Sequence, residues 1–312
     1  MARAVTTRTS TTPRVARRLE GAPFATEIRE RVATDVAAYT KAHGHPPGLA
    51  VVVCGRSAPS MVYLERILKG CAQVGIAGSF VDVEGETAAQ QERELAAAIG
   101  RLNSDPEVNG IIVQQPLPTG VRLRTVIDAI DPLKDIDGIH PLNAGLLRLG
   151  YEGFIPATAH AALEMVHRSG VEVVGANAVV IGRSPVVGMP LASMLVREDA
   201  TVTVCHSKTR DLAGKVRQAD IVVVAAGRPG LVTGDMLKPG AVVIDVGINV
   251  VDGKIVGDVD FDSAEQVAGA ITPVPGGVGP LTNALLLSHV MRAAQRQEDA
   301  AGGPSIAQDQ RR

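Results

Sequence analysis

Short apolar runs rich in β-branched residues alternate along the chain with longer stretches whose apolar positions recur at helical spacing. Residues 49–54 (LAVVVC) are the first such run, and 60–74 read as a helix. A second, weaker strand covers 78–83, a helix of mixed Ala and charged positions 87–102, and a third strand 108–114 (VNGIIVQ). A new series begins near residue 155. It comprises strand 178–182 (AVVIG), helix 187–197, strand 201–205, short helix 211–218, strands 221–225 and 241–246, and a closing helix 280–297. Strands covered on both faces read as continuous apolar runs, and parallel neighbours need helical crossovers. The pattern therefore predicts an α/β fold of two lobes, the second a doubly wound sheet. Gly/Pro clusters at 116–120 and 273–280 mark loops, and no internal repeat is visible.

Composition narrows the class. The 312 residues suffice for two domains, and 46% hydrophobic with 21% charged residues fits a globular protein with a sizeable core. Aromatics are only 2% and Trp is absent, so the core must be built from Val, Leu, Ile and Ala. A net charge of -2 gives no global pull toward nucleic acid. No apolar run approaches the ~20 residues that span a bilayer, so no membrane partner is expected. Cys54, Cys71 and Cys205 form no CxxC pair and read as small buried hydrophobes in a reducing compartment, consistent with a cytoplasmic protein. The first 18 residues carry Arg3, Arg8, Arg14, Arg17 and Arg18 with no acid. An organellar transit peptide and a disordered bacterial extension share that composition, which does not separate them.

Candidate chemistry sits at the ends of the strands. Gly182-Arg183-Ser184-Pro185-Val186-Val187-Gly188 follows a strand and precedes a helix, where glycine backbone and a helix N-terminus suit a diphosphate. It is not GxGxxG, and a plain tight turn is the competing reading. At the end of the next strand an NAD-specific site would place an acid. Here Cys205-His206-Ser207-Lys208-Thr209 offers hydroxyls and a cation instead, which with Arg183 suits a 2′-phosphate and tilts the reading toward NADP. Lys134-Asp135-Ile136-Asp137-Gly138 lacks the later acids of a calcium loop, so no metal is expected there. Its acids can serve turn chemistry or accept hydrogen bonds from a planar two-donor heterocycle edge. Gln114 ends a strand, where α/β ligands gather, and the 272–280 loop has glycines that permit close approach to a ligand. Tyr63 lies on the 60–74 helix, where a lone Tyr is ordinarily a packing residue. His43, His45, His140, His160, His167, His206 and His289 lack zincin spacing, and neither GxSxG nor a Walker A motif occurs.

Six segments carry a resemblance: GIIVQQPLP (110–118), KDIDGIHPLNAG (134–145), VVIGRSPVVGMP (179–190), TVTVCHSKT (201–209), DVGIN (245–249) and TPVPGGVGPLT (272–282). Together, and in this order, they resemble the bifunctional methylenetetrahydrofolate dehydrogenase/methenyltetrahydrofolate cyclohydrolase family, from about Pro23 to Arg296. The resemblance implies an N-terminal α/β folate-binding lobe, a C-terminal Rossmann-type NADP lobe and a cleft between them. It also implies a last helix that returns to the first lobe and a homodimer. The expected organisation is a disordered tail over 1–18, a catalytic lobe over 19–155 plus 280–298, an NADP lobe over 156–279 and a frayed tail over 299–312. By the same resemblance Tyr63 stacks on folate, Ser60 precedes it in the site, Gln114 lies in the cleft and Asp137 holds the pterin. Gly276 and Pro280 lie in the substrate loop. Gly182, Arg183 and Ser184 receive the cofactor, with Ser207 near the 2′-phosphate and Ile248 near the nicotinamide half.

The chain departs from the family at one position of consequence. The family reads Tyr-x-x-x-Lys on this helix, and here the lysine position is Ile67. That lysine is associated chiefly with the cyclohydrolase step, so the expectation is NADP-dependent oxidation of methylenetetrahydrofolate with weak hydrolysis. Residues four apart lie about 40° apart around a helix, so Ile67 shares a face with Tyr63, whereas Lys69 lies about 240° round. Arg66 lies about 60° to the other side and could reach the same cleft; because a guanidinium stays protonated, a surrogate electrostatic role is open to it and a general-base role is not. Lesser departures are Pro156-Ala157-Thr158-Ala159 and Ala58-Pro59-Ser60. A paralogue recruited to a specialised one-carbon pathway and a catalytically silent folate-binding paralogue are the alternatives. An absorbance assay with methylenetetrahydrofolate and NADP separates all three.

Overall fold

The apolar run at 48–54 becomes the centre of a sheet because both its faces are covered. In a computed structural model, which describes residues 15–56 and 58–300, β2 (Gly48–Cys54) is buried at every position. It pairs in parallel with β3 (Ala77–Val83) on one side and β4 (Gly110–Val113) on the other. β3 is the weaker sequence signal because it is an edge strand, largely exposed until Val83. Helices α1 (Gly21–His43) and α2 (Ala58–Val74) cover one face. α3 (Ala88–Ser104) and the short α4 (Leu123–Ile127) cover the other. Thr87 caps α3 by accepting from the Gln90 amide.

After α5 (Pro141–Leu149) and α6 (Ala157–Ser169) the second sheet begins. Its order is β6-β5-β7-β8-β11-β1, all parallel. The members are β5 (Asn177–Ile181), β6 (Thr201–Cys205), β7 (Ile221–Val224), β8 (Val242–Asp245) and β11 (Ala270–Ile271), with β1 (Arg17–Arg18) at the edge. The helices between them are α7 (Gly188–Arg197), α8 (Leu212–Val216) and α9 (Phe261–Glu265), and a small hairpin joins β9 (Asn249–Val251) to β10 (Lys254–Val256). The chain steps from β5 to β6 in one direction and then to β7 on β5's other side. The carboxyl ends of β5 and β7 thus flank a topological switch point, where open α/β sheets bind ligands.

α10 (Val278–Ala300) runs back along α1 and also packs on α2 and α6. One apolar cluster therefore runs through both lobes, from Leu49 and Ile67 through Leu163 and Leu286 to Val180 and Ile244. Both expected tails need correction where they are described. Ala16 and Leu19 are buried, Arg17–Arg18 pair with Ala270–Ile271, and Arg18 Nε donates to Glu265 at 2.5 Å, so residues 15–18 belong to the fold rather than to a tail. A two-residue strand becomes stable only against a sheet edge that is already built. At the other end α10 continues through Asp299 and Ala300. Residues 1–14 and 301–312, with the targeting question, lie outside the described residues. All three cysteines are buried. Among the described residues no helix is long and apolar enough to cross a membrane.

Candidate active site

The two acids of the Lys134–Gly138 turn divide the roles that the sequence left open. Asp135 is 1% exposed and accepts from the Ile139 and His140 amides at 3.2 and 2.8 Å and from Asn143 Nδ2 at 2.8 Å. It is the turn residue. Asp137 makes a different bond, accepting from the backbone N–H of Ala157 at the start of α6. Burial, and then the neighbouring Asp135, push its carboxyl up to about 7.

Asp137 faces α2. The Tyr63 hydroxyl is pushed up to about 12, first by burial and then by the charge of Asp137, although the residue as a whole is 39% exposed. Gln114 follows β4 and is 5% exposed. Its Nε2 donates to the Ser60 carbonyl at 2.6 Å, while its buried Oε1 finds no partner among the described residues. A buried amide oxygen without a donor costs free energy, so it marks a place where a ligand or water completes the bonding. Ser60, Tyr63, Gln114 and Asp137 are thus brought together by α2, the end of β4 and the start of α6. Ile67, one turn beyond Tyr63, is fully buried in the core, and Arg66 is exposed. Gly276 and Pro280 stand at the entry to α10, where the Gly276 carbonyl accepts from Gly21 N–H at 2.8 Å at the start of α1.

The second cluster lies at the switch point. Gly182 has φ +129, and a Cβ there would fall 2.2 Å from the Ala225 carbonyl oxygen, so the loop closes down only with glycine. A Cβ on Gly188 would fall 2.1 Å from the Gly182 oxygen, which brings the α7 N-terminus against the same turn. Ser184 Oγ accepts from the Val187 amide at 3.1 Å and shapes the turn between them. Gly182 N–H donates to the Cys205 carbonyl at 2.8 Å, which sets the exposed Ser207 beside the loop bearing the exposed Arg183. Ile248 stands 69% exposed after β8. This backbone cradle, helix N-terminus and cationic rim fit a dinucleotide.

Sequence reasoning missed the group that organises the neighbouring loop. Asp258 is fully buried and accepts from the amides of Ala226, Gly227 and Arg228 at 2.6–2.8 Å and from Asn249 Nδ2 at 2.8 Å. It pins the β7 loop whose Ala225 closes on Gly182. Asp245 in turn accepts from the Gly247, Asp258 and Val259 amides, and burial raises its carboxyl to about 6 despite those donors. Nothing local singled Asp258 out, since Asp260 and Asp262 follow it at alternate positions.

The catalytic-domain model of the tetrahydrofolate dehydrogenase/cyclohydrolase family matches residues 19–137, and its NAD(P)-binding-domain model matches residues 156–298. The chain belongs to the tetrahydrofolate dehydrogenase/cyclohydrolase family. It is 48% identical over 297 residues to the bifunctional protein FolD of Rhodopirellula baltica, covering 90% of this chain and 98% of that protein. The Campylobacter jejuni FolD methylenetetrahydrofolate dehydrogenase/cyclohydrolase superposes with a TM-score of 0.85 at 40% identity, over 89% of this chain and 98% of that one. The Trypanosoma brucei N5,N10-methylenetetrahydrofolate dehydrogenase-cyclohydrolase, solved with NADP and an inhibitor, gives 0.86 at 38% identity, over 91% and 99%. The Tyr63–Gln114–Asp137 cluster lies within the range of the catalytic-domain match, and the Gly182–Ser207 cradle within that of the NAD(P)-binding-domain match.

Proposed function

We infer that the protein oxidises 5,10-methylenetetrahydrofolate to 5,10-methenyltetrahydrofolate with NADP, and that it hydrolyses the methenyl product to 10-formyltetrahydrofolate only weakly. The observation that carries the folate reading is Asp137, a half-buried acid held by the helix-start amide of Ala157, whose charge reaches the Tyr63 hydroxyl across the cleft. An ionised carboxylate in that position accepts two parallel hydrogen bonds from a pterin edge. Tyr63 offers a ring face for the aminobenzoyl group, and Gln114 offers Oε1 to a donor near the one-carbon unit. Bound NADP supplies the hydride acceptor. The chain's own contribution to that step is alignment, because no proton need move and positioning of two bound partners lowers the barrier. Water attack on the methenyl carbon does need proton handling, and Ile67 provides none. A homodimer in the cytoplasm accompanies this reading on family resemblance. Following NADPH formation and methenyltetrahydrofolate decay separately tests it, and absence of NADPH formation overturns it.

Arg183 and Ser207 carry the preference for NADP. In wild type kcat/KM is expected to be higher for NADP than for NAD. Arg183→Ala is expected to weaken NADP use by about 1.5–3 kcal/mol while leaving NAD use nearly unchanged. Equal wild-type values for the two cofactors overturn the assignment.

Asp258 acts on the same cofactor through the β7 loop. Asp258→Asn turns one acceptor oxygen into a donor facing amides that need an acceptor. An NADP Kd raised by about 1–3 kcal/mol is expected, with folate KM within about twofold of wild type. Fluorescence titration of NADP reads this, and an unchanged Kd shows that the loop does not depend on that carboxylate.

A further inference from the structure

His289 is 3% exposed on α10, and no step described so far uses it. Its Nδ1 lies 2.9 Å from the carbonyl oxygen of Ile136, the residue before Asp137. Its Nε2 lies 3.2 Å from Nδ1 of His160 on α6, with the two rings 9° from parallel. A carbonyl oxygen only accepts, so His289 Nδ1 carries the proton. Burial drives the imidazole toward the neutral form, so Nε2 is a bare acceptor, and His160 must then hold its own proton on Nδ1. One backbone carbonyl thus dictates the tautomers of two rings.

The pair closes a frame around Asp137. α6 supplies the Ala157 amide to the carboxylate, and one turn later it supplies His160. α10 supplies His289, held on its other side by the Phe154 ring at 6.3 Å. Gly138, at φ +63, seats the turn against backbone: a Cβ there would fall 2.8 Å from atoms of Phe154, Ile155 and Pro156. The peptide before Asp137 is therefore fixed by a side chain, the peptide after it by packing, and the carboxylate by an amide. A two-donor ligand edge requires a carboxylate plane aimed within a narrow range, and rotation of the 136–137 peptide would turn that plane.

We propose that His160 and His289 are positioning residues for the folate site, an imidazole relay that locks the Ile136 carbonyl and so aims the Asp137 carboxylate at its ligand. The proposal rests on the reading of Asp137 as the folate-binding acid.

Three variants and one spectrum test it. His289→Leu keeps the bulk and removes the donor. It is expected to raise KM for methylenetetrahydrofolate about 5- to 30-fold, as for one buried hydrogen bond lost, with KM for NADP within about twofold. His289→Asn offers a donor to the carbonyl and an acceptor to His160, and is expected to return folate KM to within about threefold of wild type. His160→Phe leaves His289 Nε2 without its donor and is expected to raise folate KM about two- to fivefold. Nitrogen-15 imidazole spectra of wild type at pH 7 should show both rings neutral with the proton on Nδ1. A proton on His289 Nε2, a charged ring, unchanged folate KM in His289→Leu, or parallel rises in both KM values overturns the relay. If His289→Leu does not fold, His160→Phe and the spectrum decide. Asp137→Ala measured alongside separates the two levels: normal folate KM there overturns the folate reading itself. Lost turnover there with normal KM in His289→Leu overturns only the relay.

Discussion

Replacing Asp137 with Ala is expected to remove folate turnover and leave a folded protein. The variant loses the acceptor of two charge-assisted hydrogen bonds, each worth about 1.5–3 kcal/mol. A drop in kcat/KM for methylenetetrahydrofolate of about 10²–10⁴ follows, with NADP Kd nearly unchanged. Folding should not suffer, because Asp135 and not Asp137 ties the turn together. The carboxyl of Asp137 rises from 3.8 to about 7 on folding, so between those values the folded protein binds more protons than the unfolded one. Stability from this group therefore falls as pH rises through that window, and Ala removes the fall. The Tm of the variant relative to wild type should increase from pH 4 to pH 7 and level off above it. In wild type, kcat/KM for the folate should rise with pH up to about 7 as the carboxylate ionises, a limb that Asp137→Asn lacks. A variant with near-normal folate KM would reduce Asp137 to a second turn residue.

The second large effect is expected at Ile67. Wild type should form NADPH readily and hydrolyse methenyltetrahydrofolate slowly, because a buried aliphatic side chain neither moves a proton nor stabilises charge. General acid–base help is worth about 10²–10⁴-fold, and Ile67→Lys should recover hydrolysis by that order while the hydride step stays within about threefold. Burial makes the substitution informative. An ammonium deprived of water loses its proton more readily, and a lysine that titrates near neutrality is a proton shuttle. The same burial should lower Tm, since the site is part of the continuous core. Arg66 is exposed and a guanidinium does not shuttle a proton, so Arg66→Ala should leave hydrolysis at the wild-type level. Robust wild-type cyclohydrolase activity that Ile67→Lys does not raise would show that this helix face does not govern the hydrolytic step.

Much of the framework was legible because strand signals are local. The runs at 49–54, 178–182 and 221–225 match β2, β5 and β7 within a residue or two, as covered parallel strands need apolar residues on both faces, while edge strand β6 shows through the Thr/Val alternation at 201–205. The Gly182–Gly188 spacing was likewise readable, since a strand–turn–helix that approaches a ligand needs glycine where a Cβ would strike backbone. α1 was there to be read, with Ala25, Ile28, Val32, Val36 and Tyr39 buried at helical spacing, but its many alanines and charges blur the stripe.

What the residue order left open was settled by partners far away along the chain. Arg17–Arg18 look like the end of a basic tail until β11, some 250 residues later, offers an edge. Asp135 and Asp137 are equivalent acids in the sequence. One accepts from the Ile139 and His140 amides and from Asn143 on α5, and the other meets the first amide of α6 where burial and then Asp135 raise its carboxyl to about 7. Asp258 becomes an organiser of the cofactor loop only because three amides 30 to 32 residues upstream converge on it. His289 is one scattered histidine among seven until α10 lies back along α1 and carries it to a carbonyl 153 residues away. Periodicity reports which face of an element is buried, a property of neighbouring residues. Hydrogen-bond partners, tautomers and proton affinities depend on what the fold packs against that face.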